Sequence, residues 1–206
     1  MSTKTGKKKK QVRLSATERR RAILDAALPL FASRGYRGTT TAAIAEKAGV
    51  TEPILYRHFK GKLDLFHVLL VEISGKTARE WEQILAEVAE PFQKLTRIAE
   101  TFPGMGQRME DDFRVMLAAL TEMSDPVTKK ILRNHYEFYA DYLGQILGNL
   151  EPFKASGLDP EATPFHLINL AVGYALMYPV EIPATNEDTY VQHAIGFLAR
   201  AVMGGE

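Results

Sequence analysis

A cluster of polar and cationic residues near the N-terminus carries the clearest potential for chemistry in this sequence. Within one turn of a predicted helix stand a hydroxyl, a guanidinium and an imidazole, and a lysine opens the next segment. Such groups donate hydrogen bonds to phosphates and base edges, and a lysine at a helix N-terminus favours a phosphate. The residue types therefore predict contact with a polyanion. The set is Thr51, Glu52, Ile54, Tyr56, Arg57, His58 and Lys62.

These residues fall in a segment, residues 40–61, that the sequence predicts to be two short helices joined by a tight turn. Gly49 stands at the bend and the small Ala45 at the expected helix contact. Helices that cross steeply need both features, together with a few large apolar anchors. The outer face of the second helix would then enter a DNA major groove, although a purely structural helix hairpin fits the same pattern. The anchors are Ile44, Val50, Leu55 and Phe59.

Capping residues indicate where the N-terminal helices begin and end. Ser15 and Glu18 have the spacing of a capping box, and Gly35 can supply a left-handed stop. Hydroxyl caps for the second and third helices are available at Thr40 or Thr41 and at Thr51.

Charge is divided unevenly along the chain. Residues 1–60 hold 14 lysines and arginines against 4 acidic residues, whereas residues 61–206 hold 12 against 21. A basic head on an acidic body is expected when one end meets a polyanion. The lysines at 7–10 belong to an arm, predicted to be disordered, that either lies along an adjacent minor groove or is simply solvated.

Composition excludes several classes of protein. The chain has no cysteine, which rules out a disulfide framework, a thiolate zinc site and a cysteine nucleophile. The longest nearly apolar run, residues 170–180, is shorter than the roughly 20 residues that cross a bilayer. No signal peptide is recognisable, so the chain is predicted to be soluble and cytoplasmic.

The fold class predicted is all-α, because helical periodicity continues almost to the C-terminus and no segment alternates like a strand. We expect a basic arm at 1–14, a helix-turn-helix three-helix DNA-binding domain at 15–62, and a helical effector-binding and dimerisation domain at 63–206. Within the last, the pattern predicts a long helix to about residue 90, a short helix, and helices near 107–123, 126–150, 163–178 and 187–203.

An ordered set of short motifs over about residues 18–66 resembles the N-terminal signature of the tetracycline-repressor (TetR) family. The spacing of the pieces makes the resemblance specific, whereas any one piece alone would be weak. The pieces are Leu30-Phe31-Ala32, Gly35-Tyr36, Thr39-Thr40, Ile44-Ala45, Ala48-Gly49-Val50-Thr51, Leu55-Tyr56-Arg57-His58-Phe59 and Lys62.

The resemblance implies which side chains meet DNA. Phe59 would be core, and Thr40 would cap the second helix and also touch a phosphate. Arg57 fills a position that varies within the family, and contact with a phosphate is expected there rather than readout of a guanine. Pro53 and Ile54 offer few donors, so apolar contact with thymine methyl groups is implied for them. The remaining implied contacts are Thr41, Glu52, Tyr56, His58 and Lys62.

The resemblance also implies a homodimer built from the last two helices and an effector pocket between the middle ones. The dimer face of the penultimate helix would hold Ile168, Ala171, Val172, Ala175 and Leu176, and that of the last helix Tyr190, Ala194, Phe197, Leu198 and Ala201. The alternative is that both faces complete the core of a single chain. An aromatic and methionine stripe could line the pocket, although ordinary core is the alternative for each residue. The pocket candidates are Met105, Met109, Phe113, Met116, His135, Phe138, Tyr139, Tyr142, Tyr174, Met177 and Tyr178.

The function predicted is a ligand-responsive DNA-binding transcriptional regulator, a repressor that binds a palindromic operator as a dimer and is released by a small, mostly apolar effector. The five histidines are scattered and make no paired-ligand spacing, so no catalytic residue, metal or cofactor is expected. The alternative is a non-enzymatic helical interaction module whose basic head binds nucleic acid or a membrane surface non-specifically.

Overall fold

The computed structural model describes residues 15–100 and 110–177, together with the single positions 193, 196 and 200. The arm at 1–14, the pocket candidates Met105, Met109 and Tyr178, and the helix predicted at 187–203, apart from those three positions, lie outside the described residues. In chain order the helices are α1 Ala16–Gly38, α2 Thr41–Lys47, α3 Glu52–His58, α4 Lys62–Glu87, α5 Pro91–Ala99, α6 Glu110–Leu120, α7 Pro126–Gly148, α8 Glu151–Ala155 and α9 Ala162–Met177.

Helix α1 begins with the predicted capping box and is interrupted at the predicted left-handed glycine. The Ser15 hydroxyl accepts from the Glu18 N–H at 3.2 Å, and the Glu18 carboxylate accepts from the Ser15 N–H at 2.7 Å. Gly35 adopts φ 66°, so the regular helix breaks there and one more turn follows. The buried Thr39 hydroxyl donates towards the carbonyls of Leu30 and Gly35 at 3.0 and 2.8 Å, which fixes this last turn against the helix.

The three N-terminal helices enclose a small apolar core, which we call the head core. Ile23 and Phe31 of α1, Ile44 of α2 and Leu55 of α3 are completely buried in it. Phe66 of α4 adds a T-shaped ring contact with Phe31, with centroids 4.9 Å apart. The first helix of the body is thus already part of the head core.

Two later helices complete the head core, although they lie far along the chain. Val115, Met116 and Ala119 of α6 and Leu132 of α7 are buried in the same cluster as the α1 side chains. The predicted division at residue 62 therefore does not coincide with a break in the packing.

Polar contacts between α1 or α4 and the turn that joins α6 to α7 reinforce this junction. Arg37 donates to the Glu122 carboxylate at 3.0 Å, and His67 Nε2 lies 2.8 Å from Asp125 Oδ2. The Asp125 carboxylate also caps α7 by accepting from the Thr128 N–H at 2.7 Å. This bond, with further help from the Thr128 hydroxyl and His67, holds the pKa of Asp125 below its ordinary value.

A second apolar cluster, the body core, lies between α4, α5, α7, α8 and α9. It is built around Trp81, Leu95, Leu143, Phe153 and Ile168. All regular elements among the described residues are helices, so the predicted all-α class is confirmed. In the part of the chain that the structure describes, every helix is too short or too polar to cross a membrane.

Candidate nucleic-acid interface

The turn between α2 and α3 has the geometry that its glycine allows. Gly49 adopts φ 67°, and the next residue, Val50, donates its N–H to the Ala45 carbonyl at 3.0 Å. Thr40 caps α2 by accepting from the Ala43 N–H at 3.2 Å, which confirms one of the two predicted caps. The predicted hydroxyl cap at Thr51 is wrong: Thr51 occupies the N-cap position of α3 but makes no side-chain cap bond. Its place just before Glu52 and Pro53 leaves the hydroxyl exposed instead.

Helix α3 separates an inner face from an outer one. Leu55 and the following Phe59 are buried in the head core, as expected, and the Arg20 guanidinium covers the Phe59 ring at 5.0 Å. The side chain of Tyr56 is 53% exposed. Among the other predicted DNA contacts, Thr40, Thr51, Pro53 and Arg57 are exposed, and Thr41, Glu52, Ile54, His58 and Lys62 are half-buried.

Three of the predicted DNA contacts are hydrogen-bonded to one another. The Thr41 hydroxyl on α2 donates to Glu52 Oε1 at 2.7 Å and lies 3.3 Å from the Tyr56 hydroxyl. These bonds join the first residue of α2 to the first and second turns of α3. They fix the relative position of the two helices and give the Tyr56 phenol a preset orientation before any DNA arrives. Because these side chains are already ordered in the free protein, they lose less conformational entropy when DNA binds.

Lys62 has partners within the protein itself. Its ammonium donates to the carbonyls of Tyr36 and Thr39, both at 2.8 Å, and lies 4.3 Å from the centre of the Tyr36 ring. The side chain therefore closes the C-terminal end of α1, in addition to its predicted place beside a phosphate. An ammonium carries three donors, and these two bonds use two of them.

Several residues at this site were not singled out from the sequence. Thr39 was recognised only as part of a motif, yet its buried hydroxyl fixes the last turn of α1. Lys47 at the end of α2 and Lys60 after α3 are exposed bases on the same short segment. The Lys60 N–H donates to Asp64 at 2.8 Å and orders the entry to α4. The sequence feature that could have identified Lys47 and Lys60 was their positive charge on either side of the predicted turn.

The described pocket candidates divide between the two cores and the surface. Met116 belongs to the head core, Phe138, Tyr139 and Tyr142 to the body core or its edge, and Met177 is exposed. Tyr174 is buried, and Phe113 and His135 are half-buried. Phe138 and Tyr142 form a tilted ring pair with centroids 4.8 Å apart.

A capped α2, a left-handed glycine turn and an α3 with an exposed polar face together define a helix-turn-helix domain of the DNA-binding class. Residues 23–69 match the family profile described as bacterial regulatory proteins, tetR family. The predicted resemblance to the tetracycline-repressor family is thereby confirmed for this N-terminal part of the chain.

Curated relatives match the same part of the chain, and a solved structure has the same fold. The chain is 36% identical over 90 residues to the transcriptional activator FasR of Mycolicibacterium smegmatis, covering 44% of this chain and 41% of that protein. It is 38% identical over 78 residues to the class D tetracycline repressor of Escherichia coli, covering 38% and 34%. The matches thus span less than half of these relatives. A transcriptional regulator from Saccharomonospora viridis in complex with choline has the same fold, with TM-score 0.78, 21% identity and coverage of 88% and 96%.

Proposed function

We propose that this protein is a ligand-responsive transcriptional regulator that binds a palindromic operator as a homodimer, represses from it, and releases it when a small, mostly apolar effector binds. The observation that carries the proposal is the exposed, pre-ordered outer face of α3 on a helix-turn-helix domain. The matched relatives include a protein named as an activator and one named as a repressor, and both names describe transcription regulators. In this role the protein needs no catalytic residue, and it would act in the cytoplasm, where its operator DNA lies.

Each side chain of the interface has a proposed role that follows from its exposure. Tyr56 and Arg57 are exposed on α3 and contact base edges or phosphates, and the half-buried His58 adds a further donor at the end of the helix. Pro53 and Ile54 offer apolar surface to thymine methyl groups. Thr40, Thr41, Thr51 and Lys62 lie at helix starts, where hydroxyls, backbone N–H groups and the helix dipole favour a phosphate. The Glu52 carboxylate orients Thr41 and does not itself approach the anionic backbone.

Dimerisation is supported by the surface of α9. Phe165, Leu176 and Met177 expose large apolar side chains, with Leu176 at 49%. Large apolar side chains exposed together on one helix are a feature of protein–protein interfaces. Two members of the predicted dimer face, Ile168 and Val172, pack instead in the body core of their own chain. We therefore propose an interface that includes the exposed Phe165 and Met177 together with Leu176, a member of the predicted dimer face.

Binding-site selection from random duplex DNA with the full chain tests the proposal. We expect enrichment of an inverted repeat whose half-sites lie about one helical turn apart, because a two-fold dimer presents two copies of α3. We expect Arg57→Ala to weaken binding to the selected site, with an effect that falls as salt rises. Weak binding that no sequence improves would favour the alternative, a module whose basic head holds nucleic acid non-specifically.

A further inference from the structure

Two polar atoms inside the body lack hydrogen-bond partners among the described residues. They are Nδ1 of His135 and the hydroxyl oxygen of Tyr139. Both residues lie on α7, four positions apart, so they share one face of the helix. Their rings meet edge to face at 90°, with centroids 4.7 Å apart. Since an unsatisfied buried polar group costs about 1–3 kcal/mol, a pair of them on one face needs an explanation.

Aromatic side chains and one polar residue of α4 surround this pair. Trp81 of α4 packs on Tyr139 with ring centroids 4.6 Å apart, and Phe138 lies 5.5 Å from Tyr139 on the other side. Thr77, one turn before Trp81, is buried and donates to the Ile73 carbonyl at 3.2 Å. Thr77 acts to lower the pKa of Tyr139, an effect smaller than that of burial, and the Tyr139 hydroxyl makes no hydrogen bond to a described residue. The surroundings are apolar rings with a few fixed polar atoms, as in a binding pocket for a small molecule.

The same surroundings disfavour charge of either sign. Burial lowers the pKa of His135 to about 4, so the imidazole is neutral at pH 7. Burial raises the pKa of Tyr139 well above its usual range, and the neighbouring charge of Glu80 raises it further. The nearby Lys76 ammonium is already bound to Asp112 at 2.7 Å. His135 and Tyr139 are thus both neutral, and the same surroundings disfavour binding of a charged ligand.

We propose that His135 and Tyr139 bind the polar group of an uncharged, largely apolar ligand such as an alcohol, a ketone or an ester. The phenol can donate or accept, and neutral Nδ1 takes the complementary role according to its tautomer. The inference rests on the proposed function, since it gives the effector of that regulator a chemical class. The site lies between α7 and α4. Because α4 begins at Lys62, just after α3 and its short connection, a ligand here contacts the helix that follows the DNA-binding helices.

The single tryptophan of the chain is Trp81, so intrinsic fluorescence of the full protein reports on the site directly. We would titrate the protein with decanol, decan-2-one, decanoate and decyltrimethylammonium, which share an alkyl chain and differ in polar group. Decanol or decan-2-one should change Trp81 fluorescence saturably and raise Tm. The carboxylate and the ammonium should bind about tenfold more weakly or worse. Equal or tighter binding of either charged probe overturns the proposal, and so does the absence of a saturable response to both neutral probes, which would mean that water alone satisfies the two atoms.

Matched tyrosine variants separate the hydrogen bond from general packing. Tyr139→Phe should weaken decanol binding about 3–10-fold, the equivalent of roughly one net hydrogen bond, without lowering Tm. Tyr136→Phe, on the same helix, should leave the affinity unchanged. Unchanged affinity in Tyr139→Phe overturns the proposal. Failure of the proposed regulator would show separately, as absence of sequence-specific DNA binding by the ligand-free protein, while the Trp81 titration stays readable.

Discussion

The ammonium of Lys62 stabilises the end of α1 before any DNA is bound. It donates to the carbonyls of Tyr36 and Thr39 at the C-terminal end of α1, where helix carbonyls lack their usual i+4 partners. Among the described residues, the Tyr36 carbonyl accepts in addition only the longer bond from the Thr39 N–H, at 3.4 Å. A cation at this position also complements the helix dipole. If Lys62 is substituted, part of any loss of DNA binding would therefore come from destabilisation of the N-terminal helices.

Lys62→Met should lower the free energy of unfolding by about 1.5–3 kcal/mol, because two carbonyls lose a charged donor. Lys60→Met is the matched control, since Lys60 is exposed and its ammonium makes no bond to another residue that the structure describes. The control should stay within about 0.5 kcal/mol of the parent. Urea denaturation followed by circular dichroism measures both values. Equal stability of the two variants would show that the bonds of Lys62 contribute nothing to the folded state.

The buried His135 imidazole should make stability depend on pH in a defined window. Its pKa falls from 6.5 in the unfolded chain to about 4 in the folded one, so between these values only the unfolded state takes up the proton. Stability from this group is therefore complete above pH 6.5 and is lost as the pH falls towards 4. His135→Leu should remove about 1–3 kcal/mol of this pH dependence, whereas His166→Gln, at an exposed position, should preserve it. Parallel curves for the parent and His135→Leu between pH 4 and 6.5 would contradict the assignment.

Among the secondary-structure elements, α2 and α3 begin in different ways although each has a threonine at its N-cap. Thr40 accepts a backbone bond from Ala43, while Thr51 makes no side-chain cap bond. The starts of the two helices therefore depend differently on their hydroxyls.

Thr40→Val should destabilise the protein by about 1 kcal/mol, the usual cost of losing an N-cap bond. Thr51→Val should change stability by less than about 0.5 kcal/mol, because no cap bond is lost. Thermal unfolding at neutral pH compares the pair directly. A larger loss in Thr51→Val than in Thr40→Val would contradict the cap assignment.

Sequence patterns predicted the elements well where a local signal specifies them. The capping box at Ser15, the left-handed Gly35 and Gly49 and the buried Leu55 all have causes within a few residues of themselves. Helices α4 to α7 and α9 follow from apolar periodicity in the same way, whereas the short α8 was not predicted. The recruitment of α6 into the head core and the bond from Lys62 to Tyr36 depend on tertiary packing between distant segments, which single-sequence periodicity does not contain.

The sequence indicated which helix would face DNA, but not the hydrogen bonds that its side chains make with one another. The residue types at Tyr56 and Arg57 and the spacing around Gly49 were sufficient to indicate a DNA-facing helix. The hydrogen bonds from Thr41 to Glu52 and Tyr56 join residues 11 and 15 positions apart, across a turn whose angle had first to be known. The packing of Ile168 and Val172 in the body core was not predicted for a similar reason: a helix that is apolar on most sides gives no periodic signal for which side meets its own core.

Over the whole molecule, α7 belongs to both apolar cores. Near its start Leu132 lies in the head core with α1 and α6, and three turns later Leu143 lies in the body core with Trp81. Tyr136, between them, packs against both clusters. We infer that head and body unfold as one cooperative unit and that α7 transmits local disturbances to different helices according to where along it they arise.

Leu132→Ala and Leu143→Ala test this on one helix with one chemical change. Each should cost about 2–5 kcal/mol, because each removes a buried side chain from a packed core. Fluorescence of Trp81 and circular dichroism should report a single coincident transition in both variants. Hydrogen exchange at temperatures where both stay folded should rise in α1 and α6 for Leu132→Ala, and in α4 and α5 near Trp81 for Leu143→Ala. Separate transitions for the two probes, or the same exchange pattern in both variants, would show that α7 does not link two distinct cores.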